Sequence, residues 1–125
     1  MSSPEHLPPY KVSLPKSQKV AMLLSIPHSG IQFPKDLKGK YKASMIKHPD
    51  DTDWYLQELY DFASEMGITV IEAIYSRWVI DLNRTPENKN LYHDGRIITS
   101  LCPSTDFFGT PIYTHSANEP SKNEI

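Results

Sequence analysis

The sequence predicts an α/β fold built round a parallel strand pair. Three observations carry that expectation. Lys19 to Ile26 (KVAMLLSI) is a short, nearly all-apolar run closed by Pro27, the pattern of a buried central strand. Ile68 to Tyr75 (ITVIEAIY) is a second run, rich in β-branched residues. Between them Leu56, Leu59, Tyr60, Ala63 and Met66 recur at helical spacing. Strand, helix, strand in this order calls for a right-handed crossover and parallel pairing.

Each element carries its own signals. Residues 1–17 hold Pro4, Pro8, Pro9 and Pro15, so they read as an extended N-terminal segment ahead of a domain over 18–125. Pro27 stops the first strand's ladder and Gly30 permits a tight turn, which leaves His28 at the strand's carboxyl end. Open α/β sheets bind ligands at such ends. Residues 31–50 contain Pro34, Gly39 and several lysines and read as a surface loop with one short helical turn. Asp51 or Thr52 can cap the helix that follows, and Gly67 supplies its stop. From Asp53 to Met66 that helix would run about 21 Å. Tyr75 to Arg84 (YSRWVIDLNR) is a strand-like run that also carries Arg77, Asp81, Asn83 and Arg84. Residues 85–90 read as a polar loop. Beyond them, Leu101-Cys102-Pro103 and Phe107 to Tyr113 are apolar islands broken by Pro and Gly, and a polar helix start opens at Ser116.

Composition limits the function classes. A chain of 125 residues suits one domain. A 38% hydrophobic and 22% charged content is that of a globular rather than a disordered chain. A net charge of -2 gives no electrostatic pull toward nucleic acid or acidic membranes. The single Cys102 excludes an intramolecular disulfide framework and a cysteine-rich zinc site. No apolar run approaches the roughly 20 residues of a membrane span. Glu5 and prolines precede any apolar run, so no secretory signal is read and a cytoplasmic location is expected. The Asn83-Arg84-Thr85 glycosylation pattern is then a chance match.

Two groups of residues bear on chemistry. His28 has a plain reading, a loop histidine bonded to backbone, and a sharper one as metal ligand or general base. Asp53 is its natural carboxylate partner, although an acidic first turn is already explained by the helix dipole, worth about 0.3–1 kcal/mol. Asp51 competes with Asp53 for the role. Arg77, Asn83 and Arg84 form the second group. A buried arginine without an anion costs several kcal/mol. Asp81 can pair with one of them in a purely structural network, and Glu72 is also near in sequence. Alternatively the guanidinium fork and the asparagine amide grip a small carboxylate ligand, or Arg77 faces developing oxyanion charge. Trp54 and Trp78 read as core or rim, and Cys102 as inert. His6, His48, His93 and His115 have no spacing partner. No nucleotide-binding glycine loop, HExxH or GxSxG motif is present.

Taken together, Ile26-Pro27-His28-Ser29-Gly30, Asp51-Thr52-Asp53-Trp54 with Leu59-Tyr60, and Tyr75 to Arg84 resemble the N-terminal half of an N-formylglutamate amidohydrolase. Leu101-Cys102-Pro103 and Phe108-Gly109-Thr110-Pro111-Ile112-Tyr113 continue the resemblance, which covers roughly residues 20–125. It implies an incomplete zinc-carboxypeptidase-like α/β sheet with flanking helices. It also implies a zinc-dependent hydrolase that releases formate and glutamate from N-formyl-L-glutamate at the end of histidine degradation. Carried over, His28 and Asp53 would be zinc ligands, Asn83 and Arg84 would bind a substrate carboxylate, and Arg77 would polarise the scissile carbonyl. Zinc brings a bound water to a pKa of about 7, which suits hydrolysis of a formamide.

Members of that family are roughly twice this long, and the resemblance places a further histidine ligand and the acid/base carboxylate in their second half. The expectation is therefore a truncated chain with an incomplete site and little activity alone. The competing reading is a non-catalytic remnant that binds a carboxylate or a partner chain. A sheet without its remaining strands would offer an open edge for self-association.

Overall fold

The computed structural model describes residues 7–89, 93–94 and 100–125, without the side chains of Gln57 and Leu59. The expected loop over 85–90 is thus described except at Asn90, and Pro4 and His6 of the N-terminal segment lie outside the described residues, as does the side chain of Leu59.

Three strands form one sheet: β1 (Tyr10–Ser13), β2 (Leu23–Ile26) and β3 (Thr69–Ala73), in the order β1-β3-β2. β2 and β3 pair in parallel, as strand–helix–strand order requires, with Leu23 opposite Thr69 and Ile26 opposite Glu72. β1 pairs antiparallel on the other side of β3, with Tyr10 opposite Ala73. Two expectations are corrected here. Part of the N-terminal segment is a strand, because Tyr10-Lys11-Val12-Ser13 is free of proline and can supply every ladder N–H. The run 19–26 is not a buried central strand: only its last four residues pair, β3 takes the centre, and Leu23 remains 62% exposed.

The helices are short: α1 (Lys35–Lys38), α2 (Ala43–Lys47) and α3 (Leu56–Leu59). The long helix expected over 53–66 breaks into α3 and a 3-10 turn at Asp61–Ser64. Of its expected caps, Asp51 is engaged elsewhere and Thr52 makes no side-chain hydrogen bond. Asp51 accepts bonds from the distant Trp78 and Phe107, and the Asp53 N–H donates to the His28 carbonyl at 2.9 Å. Tyr55, at φ 61°, then turns the chain into α3 with no side-chain cap. Gly67 does end the segment, at φ +80°, a conformation that favours glycine.

The main core cluster draws its residues from outside the three strands. Phe33, Tyr41, Trp78, Ile112 and Tyr113 form one buried cluster, with Leu37, Met45, Ile46 and Val79 packed against it. Phe33 and Tyr41 meet edge-on at 5.0 Å, and Tyr41 stacks on Tyr113 at 4.6 Å. Residues 31–50, expected as surface loop, therefore supply core anchors. The stretch 75–84 is a series of turns, not a strand. Ser76 explains the start: its hydroxyl accepts the Trp78 N–H and its carbonyl the Val79 N–H, a local alternative to a ladder.

Candidate active site

His28 is delivered by the end of β2. Pro27 cannot donate to a ladder, so the chain leaves the sheet and runs alongside the residues that follow β3. Gln32 N–H donates to the Ile74 carbonyl at 3.1 Å, and Ser76 N–H donates back to Gln32 at 2.9 Å. Gly30 sits at the closest approach: a Cβ there would lie 2.1 Å from the Tyr75 carbonyl oxygen. Only a residue without a side chain lets the two segments touch. Their contact brings His28 next to Arg77 and Asp81.

These three side chains form a closed network. His28 Nε2 lies 2.7 Å from Asp81 Oδ1, and Arg77 NH2 donates to Asp81 Oδ2 at 2.7 Å. The Asn83 N–H adds a bond to Oδ1 at 2.9 Å. Burial alone would raise the Asp81 pKa. The bond to His28, the Asn83 N–H and the Arg77 charge outweigh it and hold the carboxyl at about 2, below its ordinary 3.8. Asp81 is therefore an acceptor, and His28 Nε2 must be the donor. Arg77 NH1, which can only donate, lies 3.3 Å from His28 Nδ1. The two contacts select one tautomer, with the lone pair on Nδ1.

Asp53 also lies near this nitrogen. Nδ1 lies 3.8 Å from Asp53 Oδ2, with His28 13% and Asp53 52% exposed at the side chain. Asp51 does not compete: Trp78 Nε1 donates to its Oδ2 at 2.9 Å and the Phe107 N–H to its Oδ1 at 3.3 Å. Buried and doubly bonded, Asp51 ties the 51–54 turn to the core. Phe107 lays its ring against the Arg77 guanidinium, 4.8 Å from centroid to Cζ.

The sequence-predicted residues thus divide. His28, Asp53 and Arg77 come together. Asn83 joins through its backbone and keeps its side chain exposed, while Arg84 NH1 donates to the Asn83 carbonyl at 3.3 Å. Asp81 and Phe107 were not foreseen as members of the site. Asp81 was visible only as an (i, i+4) partner for Arg77, and nothing local marks Phe107. Trp78 is core, as expected, and Trp54 lies on the rim against the His48 ring at 4.6 Å. Burial raises the Cys102 thiol pKa, which keeps it protonated and unreactive. A cavity of about 270 Å³ is lined by Val79, Ile80 and Cys102, but by none of the site side chains.

The facing pair suits a cation. A neutral imidazole nitrogen and a carboxylate oxygen both donate electron pairs, and neither can donate a hydrogen to the other. His28 Nδ1 and Asp53 Oδ2, 3.8 Å apart, would hold a zinc ion between them. A carboxylate on the far ring nitrogen is the usual support of a metal-bound histidine. The donor set fits two of the three protein ligands of a catalytic zinc, and no group of three gathers among the described residues.

The family model described as N-formylglutamate amidohydrolase matches residues 20–125. The chain is 39% identical to the N-formylglutamate deformylase of Pseudomonas putida over 95 residues, which are 76% of this chain and 34% of that protein. With the N-formylglutamate deformylase of Pseudomonas aeruginosa it shares 40% identity over 101 residues, 78% of this chain and 36% of that one. The chain therefore spans about a third of the length of the curated relatives it matches. The crystal structure of N-formylglutamate amidohydrolase from Ralstonia eutropha superposes with a TM-score of 0.63 at 25% identity, over 86% of this chain and 41% of that one.

Proposed function

The chain belongs to the N-formylglutamate amidohydrolase family, and from that premise we propose that it carries part of a zinc-dependent site for hydrolysing N-formyl-L-glutamate to formate and L-glutamate. The sheet would be the first portion of a zinc-carboxypeptidase-like fold. The reaction would stand at the end of histidine degradation, in the cytoplasm. No helix among the described residues is long and apolar enough to cross a membrane.

One observation carries the reading: His28 Nδ1 lies 3.8 Å from Asp53 Oδ2 while Nε2 is held by an ionised Asp81. His28 and Asp53 would hold the metal. Zinc bound there would supply Lewis acidity toward an amide carbonyl and acidify water. The chain's own residues would do the rest. Asp81 fixes the imidazole tautomer and its direction. Arg77 is anchored through NH2 on Asp81 and NH1 on His28, which would hold its guanidinium charge beside a developing oxyanion. Asn83 and Arg84, at the mouth of the network, would hold the substrate carboxylate.

The second reading is structural, and the Arg77–Asp81 pair favours it: a buried arginine that already has its carboxylate needs no ligand. In that case the chain is a non-catalytic domain that binds a partner chain. Self-association would use the outer side of β2, since β2 pairs only with β3 among the described residues. A chelator-competition titration with zinc, run beside a formate-release assay, separates the two readings. The hydrolase reading expects one zinc per chain, lost in His28→Ala and in Asp53→Ala. Equal zinc binding by both variants and the parent would sink it.

A further inference from the structure

Asp51 stands next to the candidate site, 6% exposed, and its carboxyl group bonds to none of His28, Asp53, Arg77 and Asp81. Both carboxyl oxygens are nevertheless used, by donors from two distant parts of the chain. Trp78 Nε1 donates to Oδ2 at 2.9 Å and the Phe107 N–H to Oδ1 at 3.3 Å. Each donor adjoins Arg77: Trp78 follows it in sequence, and the Phe107 ring lies 4.8 Å from its Cζ. On its own segment Asp51 stands two residues before Asp53, in a turn closed by two bonds. Thr52 N–H donates to the Pro49 carbonyl at 3.3 Å, and Trp54 N–H to the Thr52 carbonyl at 3.1 Å. The loop that carries Phe107 is stiff as well, because Asp106 Oδ1 accepts the Phe108 N–H at 2.9 Å and the Thr110 N–H at 2.8 Å. Three segments therefore meet on one carboxyl group. An amide of the same shape could not join them, since its NH2 would meet one of the two donors.

We propose that Asp51 is a positioning residue, which ties the 51–54 turn to Trp78 and to the Phe107 loop and so sets Asp53 beside His28 for the metal and Phe107 against Arg77. The proposal rests on the hydrolase reading above and deepens it. The Asp53 side chain is 52% exposed, so the backbone beneath it, rather than close packing, sets where its carboxylate stands. That backbone is held on two sides. The Asp53 N–H to His28 carbonyl bond, at 2.9 Å, fixes it toward β2, and Asp51 fixes it toward the core. Groups that orient metal ligands from behind are typically worth 10–100-fold in metal affinity.

Zinc affinity of the 125-residue chain, measured by chelator competition beside thermal midpoints on the same samples, tests this. Asp51→Ala should bind zinc about tenfold more weakly than the parent. Asp51→Asn keeps the shape and one acceptor, and should show a smaller loss in the same direction. Ile112→Val is the control. It thins the core cluster, and its backbone bonds go to Ser104 and Lys42 rather than to the turn. It should lower the midpoint and leave zinc affinity unchanged. Lowered midpoints with unchanged zinc affinity in both Asp51 variants overturn the assignment, because Asp51 is then structural only. An equal loss of affinity in Ile112→Val overturns it too, as the mark of general loosening. Should Asp51→Ala fail to fold, Asp51→Asn against Ile112→Val decides the question by the same comparison. A parent chain that binds no zinc instead sinks the hydrolase reading itself, and the assignment with it.

Discussion

The three-stranded sheet and the layer of turns beside it divide the molecule's work unequally. The sheet has regular pairing and full ladders, yet Val12, Met22 and Leu23 on it or next to it stay exposed. The turns over 75–84 and 101–113 have no strand or helix, yet they bury Trp78, Asp81, Leu101, Ile112 and Tyr113. Long-range bonds hold them: Asp81 N–H to the Leu101 carbonyl at 2.7 Å, and Trp78 Nε1 to Asp51 at 2.9 Å. The sheet does bury Ile26 and Ala73, so regular backbone and buried side chains overlap here only in part. The candidate site draws its charged residues from the irregular layer, because a turn can aim Arg77 and Asp81 to one side and hold them out of water.

The contrast can be broken most sharply at Trp78. Trp78→Ala removes the largest buried ring and the donor to Asp51, and should cost about 3–5 kcal/mol in urea unfolding. A loss under about 1 kcal/mol would show that the irregular layer is not the core.

Alkaline pH gives a finer probe of the same layer. Burial raises the pKa of Tyr41, and the Tyr113 hydroxyl bonded to it adds to that rise. Burial raises Tyr113 as well, against the opposing effect of the same bond. Both groups hold their protons more tightly folded than unfolded. Their stabilisation is complete below an unfolded value of 10.0 and is lost as pH rises beyond it. Each should lower stability by up to about 1.4 kcal/mol per pH unit above 10. Denaturation midpoints between pH 9 and 11 will show this, and Tyr41→Phe should flatten the slope.

The sheet edge should give the smallest effect on stability. Leu23→Lys, at an exposed β2 position, should change unfolding by no more than about 0.5 kcal/mol. Its reach is instead on association: concentration-dependent elution in size-exclusion chromatography should weaken, because a charge on an edge strand opposes pairing. A large loss of stability would mean that the edge is more tightly integrated than its exposure implies.

The legible parts of the fold were those with a local cause. The β-branched run 69–73 pairs as expected, Pro27 ends β2, and Gly67 ends its segment at positive φ. The long helix was not legible as a broken one. Its apolar spacing is real, but Asp51 and Asp53 are drawn to Trp78, Phe107 and His28 and cannot also build its first turn. The turn character of 75–84 was hidden for a similar reason. Val79, Ile80 and Leu82 read as strand residues, while the Ser76 hydroxyl and the Asp81 partners decide the backbone.

By itself the sequence determined the parallel strand pair and the family motifs, because residue type and spacing along the chain encode these, and the motifs' resemblance nominated His28, Asp53, Arg77, Asn83 and Arg84. Only the tertiary structure chose Asp53 over Asp51 as the carboxylate facing His28, made Asp81 the support of its far nitrogen, and set Phe107 against Arg77. Those choices depend on which distant group reaches a carboxylate first. Such a contest is settled by contacts across more than fifty residues of chain for Asp51–Phe107 and His28–Asp81, beyond the range of any local pattern.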